Sequence, residues 1–333
     1  MSHLLLITGA AGFIGSNLVY WLRRKQPEVR IVILDALTYA GHLPTLAALP
    51  YTENETEFSK EKPILFVRGD ICDQELLQRL FTRHAFTGVL NLAAESHVDR
   101  SIAGAQPFLR TNIIGTQTLL DVARLNGNPR FVQISTDEVY GSLGPEGKFT
   151  ETTPLAPNSP YSASKASADH FVRAAFHTFD QPVSITRCSN NYGPYQFPEK
   201  MMPLMMTNAM NDTPLPVYGD GLNVRDWIFV EDHCAGIWAT FERGQPGEVY
   251  NFGGDSERTN LDVVRQILKL AGKTESLIRY VTDRLGHDRR YAVDFSKSTR
   301  ELGWQPSVKF EEGLARTFAW YRDNANWWQP LRH

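Results

Sequence analysis

The sequence predicts an α/β protein with a doubly wound parallel sheet and a smaller C-terminal lobe. Three observations carry that prediction. Short β-rich apolar runs at 4–8, 29–34, 64–68, 88–92, 130–135 and 183–187 alternate with amphipathic stretches at 14–25, 74–84, 108–125 and 161–178. Such alternation marks βαβ units, whose right-handed crossovers cover both faces of a parallel sheet. The first run leads into a glycine loop, Thr8-Gly9-Ala10-Ala11-Gly12-Phe13-Ile14-Gly15, followed by a helical pattern. After about residue 190 the texture changes, with Pro194, Pro198, Pro203, Pro214 and Pro216 in quick succession. Residues 1–188 are therefore expected to form the sheet domain, with returns near 227–254. Residues 189–333 are expected to form mainly a ligand-binding lobe.

Composition narrows the function classes. Of 333 residues, 42% are hydrophobic and 21% charged, which suits a large buried core. The net charge of −3 offers no broad basic field for nucleic acid or an anionic membrane, so any phosphate must be gripped locally. Cys72, Cys188 and Cys234 lie far apart with no CxxC spacing, so neither a disulfide framework nor a metal site is expected. The apolar start lacks a basic flank and runs into the glycine loop, reading as a buried strand and not a signal peptide. No apolar stretch approaches the ~20 residues of a membrane span, and a cytoplasmic location is expected.

Glycine lets a backbone turn tightly and approach a diphosphate, whose charge the free N–H groups of a helix N-terminus favour. Gly9, Gly12 and Gly15, with Phe13 and Ile14 between them, have that placement between a strand and a helix. The second strand ends at Asp35, about twenty residues on, where a carboxylate binds the ribose hydroxyls of NAD and repels the extra phosphate of NADP. This is the Rossmann-type arrangement. Asp70-Ile71 and Leu92-Ala93-Ala94 follow later strands, where open α/β sheets bind ligands, and are further cofactor candidates. The polar, proline-bounded stretch 50–63 is expected to be an exposed loop.

Two segments carry candidate chemistry. Ser135-Thr136-Asp137-Glu138-Val139-Tyr140-Gly141 places two adjacent carboxylates at a strand end. A straight strand would point them to opposite faces, whereas a turn starting there would let both face a substrate as an acid/base pair. Tyr161-Ser162-Ala163-Ser164-Lys165 follows Asn158-Ser159-Pro160, where Ser159 or Asn158 can cap a helix and Pro160 suits its first turn. Tyr161 and Lys165 then share a face. Use of the phenol as a base near pH 7 requires its pKa to fall by about three from 10, or roughly 4 kcal/mol. A nearby ammonium and a cationic nicotinamide would favour the phenolate. The distal half adds Arg187 to Pro194, Phe197 to Lys200, Gly221 to Trp227 and Gly286 to Tyr291, whose arginines are apt for a diphosphate.

In this order, together with Asp35 to Gly41 and Leu92 to Ser101, these segments resemble the nucleotide-sugar 4,6-dehydratases of the extended short-chain dehydrogenase/reductase family. The resemblance spans roughly residues 3–320, and its most specific element is the Thr136-Asp137-Glu138 triplet. It implies an NAD-dependent lyase that converts a nucleoside-diphosphate glucose, with dTDP-glucose favoured, into a 4-keto-6-deoxy sugar and water. On that reading Tyr161, assisted by Lys165, takes the proton of the carbon 4 hydroxyl. Glu138 takes the carbon 5 proton, Asp137 protonates the departing carbon 6 hydroxyl, and Thr136 bonds the carbon 4 oxygen. Thr38, Thr111 and Asn191 are added to the cofactor set. Ser96, Asn190, Glu199, Lys200, Val217, Tyr218, Arg225, Asn260, Arg289 and Tyr291 are the implied substrate contacts. A homodimer through the helices at 108–125 and 161–178 is also implied. The 50–63 stretch and His42-Leu43-Pro44-Thr45 depart from the family pattern. A UDP-sugar dehydratase, a 4-epimerase or decarboxylase on the same scaffold, and a non-catalytic NAD-binding regulator stand as alternatives at this point.

Overall fold

Residues 3–53, 56–59, 61–283 and 285–332 are described in a computed structural model of the chain. The apolar run Leu4–Thr8 forms β1, buried at every position. It is followed by α1 (Phe13–Lys25), β2 (Arg30–Asp35), β3 (Tyr51–Glu53), β4 (Ile64–Arg68), α2 (Gln74–Arg83) and β5 (Gly88–Asn91). Next come α3 (Val98–Ala103), α4 (Gln106–Phe108), α5 (Thr116–Leu125), β6 (Arg130–Thr136), α6 (Pro160–Phe179) and β7 (Val183–Cys188). The distal half contributes β8 (Asn190–Tyr192), α7 (Met201–Met210), β9 (Leu215–Tyr218), β10 (Val224–Phe229), α8 (Val230–Arg243) and β11 (Val249–Phe252). It ends with β12 (Glu257–Thr259), α9 (Asn260–Ala271), β13 (Ile278–Val281), α10 (Ser296–Leu302), α11 (Phe310–Asp323) and α12 (Ala325–Trp328).

Eight strands form one sheet in the order β11-β7-β6-β5-β1-β2-β4-β3. Every pairing in it is parallel. The predicted doubly wound parallel sheet is thus found. Its apolar side chains point alternately to two cores, one packed against α2, α5 and α6 and the other against α1 and α8. A third core, built from α7, α9 and α11 with β9 and β10, fills the distal lobe. The order of strand addition reverses between β1 and β5: from β1 the sheet grows through β2 on one side and through β5 on the other. A buried polar ladder ties the strands there. The Thr8 hydroxyl donates to Asn91 Oδ1 at 2.6 Å, and Asn91 Nδ2 donates to Gln133 Oε1 at 2.8 Å.

Two expectations need correction. Residues 51–53 of the predicted loop form β3, which pairs in parallel with β4 at the sheet edge. Tyr51 packs its ring 6.0 Å from Phe66, and Tyr-Thr is β-favouring sequence that the surrounding prolines and charges mask. Residues 54, 55 and 60 of that stretch lie outside the described residues. The helix at 108–125 is not uniformly α, since Leu109–Gly115 is a π-helical stretch between α4 and α5. Such wide turns occur where side chains must be re-aimed. Here Asn112 faces inward, accepting from the Glu95 N–H at 2.9 Å and donating to Ser164 Oγ at 2.8 Å.

Candidate active site

β6 stops at Thr136, and the chain enters a 3-10 turn over Asp137–Tyr140. The Thr136 hydroxyl caps the turn by accepting the Glu138 N–H at 3.2 Å. Because the strand ends there, both carboxylates face one chamber. On the opposite wall, α6 opens with a reciprocal capping box between Ser159 and Ser162, with Pro160 in its first turn. Asn158 is not the cap; its amide donates to Asp288 Oδ1 at 2.7 Å. Tyr161 and Lys165 follow, both buried and both lining the same chamber.

That chamber, about 330 Å³, lies at the carboxyl ends of β1, β2, β4, β5 and β6. A second, about 240 Å³, lies between the segment after β5 and the distal lobe. Ser96, Glu138, Asn190, Asn191, Gln196 and Lys200 line both, so the chambers meet along a seam that includes Glu138. The first brings together Gly9, Gly12, Phe13, Ile14, Gly15, Asp35, Thr38, Asp70, Ile71, Leu92, Ala93, Ala94, Thr111 and Asn191. The second brings together Ser96, Asn190, Glu199, Lys200, Val217, Tyr218, Arg225, Asn260 and Tyr291. Arg289 is not brought there. Its guanidinium is exposed and pairs with Asp220 at 2.8 Å, because Asp220 lies on the outer turn after β9.

The first chamber fits a dinucleotide. A Cβ on Gly9, whose φ is +69°, would sit 2.7 Å from Ala93 N, and one on Gly15 would sit 2.4 Å from Gly9 O. Only glycine permits this closeness of loop, helix and neighbouring strand. α1 has no side-chain cap and no acid in its first turn, which leaves its N–H groups for a phosphate. Asp35 accepts the Ala11 and Leu37 N–H groups, one on each oxygen and both at 2.8 Å. A carboxylate has about four lone-pair sites, so two are left for a ribose diol.

Electrostatics separates the acids. Burial, then Glu138 and Asp226, push the Asp137 carboxyl well above its usual range, against Arg225 and Thr136. Its Oδ2 has no hydrogen-bond partner, while Oδ1 accepts from Thr136 at 3.2 Å. For Tyr161 the expected depression is not found. Burial and the Glu138 charge raise the phenol well above its usual value, and a hydrogen bond with Thr136 only partly opposes them. Lys165 Nζ donates to Ile134 O at 2.7 Å, and burial lowers its pKa. Arg225 donates to Asp288 O at 2.9 Å, with its guanidinium 4.3 Å over the Tyr291 ring.

Sequence reasoning missed several wall residues. Cys188 ends β7, and the rule that strand carboxyl ends line the site would have found it. Glu95 and Gln196 lie inside or beside quoted motifs without distinguishing patterns. Asp226 is buried, accepts the Gly254 and Ser256 N–H groups at 3.0 and 2.7 Å, and acts on Asp137 through the fold alone.

A family profile described as GDP-mannose 4,6 dehydratase matches residues 6–317. A dTDP-glucose 4,6-dehydratase from Xanthomonas campestris pv. campestris is 53% identical over 98% of this chain and 95% of its own length. One from Neisseria meningitidis serogroup B is 48% identical with the same coverage. The chain belongs to the dTDP-glucose 4,6-dehydratase family. Solved members of that family agree with this structure. The Bacillus anthracis dTDP-glucose 4,6-dehydratase in complex with NAD has a TM-score of 0.91 at 48% identity, covering 99% of this chain and 100% of that one. A UDP-glucose 4-epimerase from Thermotoga maritima also superposes, at TM-score 0.87 and 27% identity over 97% of this chain and 99% of that one. The fold therefore serves more than one reaction, and the chemistry of this dTDP-glucose 4,6-dehydratase relative must be argued from its site.

Proposed function

We propose that the chain removes water from dTDP-glucose to give the 4-keto-6-deoxy sugar, with NAD held in the first chamber and the sugar nucleotide in the second. The observation that carries this is the seam, where Glu138, with Asp137 next to it in the first chamber, shares that chamber with Tyr161. Bound NAD supplies a temporary hydride store and, when oxidised, a positive charge that favours phenolate. Tyr161 takes the proton from the carbon 4 hydroxyl, and Thr136 holds the same oxygen. Lys165, anchored on Ile134 O, fixes the α6 face against β6 and adds the cationic charge of its ammonium. With carbon 4 oxidised, the carbon 5 proton is acidic, and Glu138 removes it from the seam. Asp137, held protonated by burial, gives its proton to the hydroxyl leaving carbon 6. Return of the stored hydride to carbon 6 and of a proton from Glu138 to carbon 5 completes the 4-keto-6-deoxy sugar. An epimerase has no need of this second acid/base pair.

Ser96, Asn190, Lys200 and Arg225 are assigned to the sugar nucleotide, with Tyr218 and Asn260 further along the second chamber. Arg289 reaches it only by leaving Asp220. We also assign the protein to the cytoplasm and to a homodimer; among the described residues no helix is long and apolar enough to cross a membrane. Incubation of the purified protein with dTDP-, UDP-, GDP- and CDP-glucose tests the proposal. A 4-ketosugar formed fastest from dTDP-glucose supports it, and dTDP-galactose as the product refutes it.

A further inference from the structure

We propose that His233 is a positioning residue that, as its Nδ1–H tautomer, locks the Asn191 amide at the seam between the two chambers. The inference rests on the assignment of those chambers to NAD and sugar nucleotide. His233 stands on α8, fully buried and outside both chamber walls. Its Nδ1 lies 2.9 Å from Asn191 Oδ1. The orientation of that amide is fixed from its other side, where Asn191 Nδ2 donates to Ser189 O at 3.0 Å and Cys188 Sγ at 3.3 Å. A carbonyl oxygen must therefore face the ring. Carbonyl oxygen only accepts, so Nδ1 carries the proton and Nε2 carries the lone pair.

That lone pair is buried and has no hydrogen-bond partner. A site chosen for packing alone would hold an apolar side chain and avoid an orphaned acceptor. The ring is kept for its Nδ1–H. Burial pushes the imidazole pKa down to about 3, so the ring is neutral over the working range and acts as a fixed dipole. The bond extends into the seam. Asn191 and Gln196 line both chambers, and Gln196 Nε2 donates to Asn191 O at 3.0 Å. Without the ring the Asn191 carbonyl oxygen loses its donor, and the amide is held from its Nδ2 side alone, which loosens it where cofactor and sugar meet. Small misplacements at reacting centres lower turnover more than binding.

Two measurements on the holoenzyme test this. In histidine-labelled parent protein, ¹⁵N NMR is expected to show a His233 ring protonated at Nδ1 and bare at Nε2; the opposite tautomer, or an imidazolium, overturns the proposal. In the second, His233→Leu removes the donor, whereas His233→Asn restores an N–H near the Nδ1 position. The leucine variant is expected to lose about tenfold in kcat with KM within about twofold, and to release NAD faster. The asparagine variant is expected to recover most of both. Parent-like kcat and NAD release in the leucine variant, or equal losses in the two, overturns the proposal. The tautomer and the NAD release rate need no sugar nucleotide, so they stand or fall separately from the substrate assignment.

Discussion

Asp137 is 2% exposed, with one carboxylate oxygen lacking any partner, while Glu138 reaches the seam open to both chambers. The first environment holds a proton, and the second gives access to a substrate carbon. Glu138→Gln keeps size and polarity but removes the base. It is expected to bind NAD as the parent does and to lose about 10²- to 10⁴-fold in elimination, read as 4-ketosugar formation. Undiminished turnover would remove Glu138 from the mechanism. Asp137 makes a different prediction, because its carboxyl is raised by burial. Above the ordinary carboxylate range the folded protein binds this proton more tightly than the unfolded chain, so this group lowers stability as pH rises. Asp137→Asn cannot ionise. Its melting temperature by calorimetry is expected to exceed the parent's, with the gap widening from about pH 5 to about pH 8, while kcat falls by about 10²-fold or more. A gap that closes as pH rises contradicts the assignment of Asp137 as the held acid.

The cap of α6, Ser159, stands two residues before the phenol that the helix presents, so it sets the register of the site. Ser159→Ala removes the bond from the Ser162 N–H, now 3.1 Å, at a cost of about 1 kcal/mol. In a chain of this size that lowers the melting temperature by about 2 °C. Ser159→Thr, which keeps the hydroxyl, is expected to recover most of it; equal losses in the two variants would show that the cap bond is not the cause. This element was legible in sequence because capping chemistry is local, and so were β1, β4 and the glycine loop, whose apolar and glycine patterns report burial directly. The π-helical stretch Leu109–Gly115 was not, since its cause is the distant pairing of Asn112 with Glu95 and Ser164. The β8–β10–β12 sheet was hidden for a related reason. Strands such as Asn190–Tyr192 are three residues long and too short to show an alternation. Asp226 and His233 escaped because their influence passes through β10 and α8 to partners far along the chain.

At the scale of the whole molecule, the helices that hold the site also present apolar surface outward. The inner side of the Leu109–Gly115 stretch carries Asn112, and α6 carries Tyr161 and Lys165. Outward, Ile114 is 57% exposed, and Leu109 and Phe171 are exposed as well. Ile113, Ile114, Gln117 and Phe171 line a shallow depression of about 250 Å³ between the two segments. Large side chains left in water around such a depression mark an interaction face, and two copies of one surface related by a twofold axis bury it most economically. A homodimer through this face would brace α6 from behind, stiffening the helix that carries the phenol. Ile114→Glu places a charge at the centre of the face, where burial without a partner is costly. By size-exclusion chromatography with light scattering, the parent is expected at twice the chain mass and Ile114→Glu at the chain mass. Turnover in the variant is expected to fall while NAD remains bound, because the glycine loop and Asp35 lie on other elements. A parent that elutes as a monomer, or a variant that stays dimeric, would place the subunit contact elsewhere.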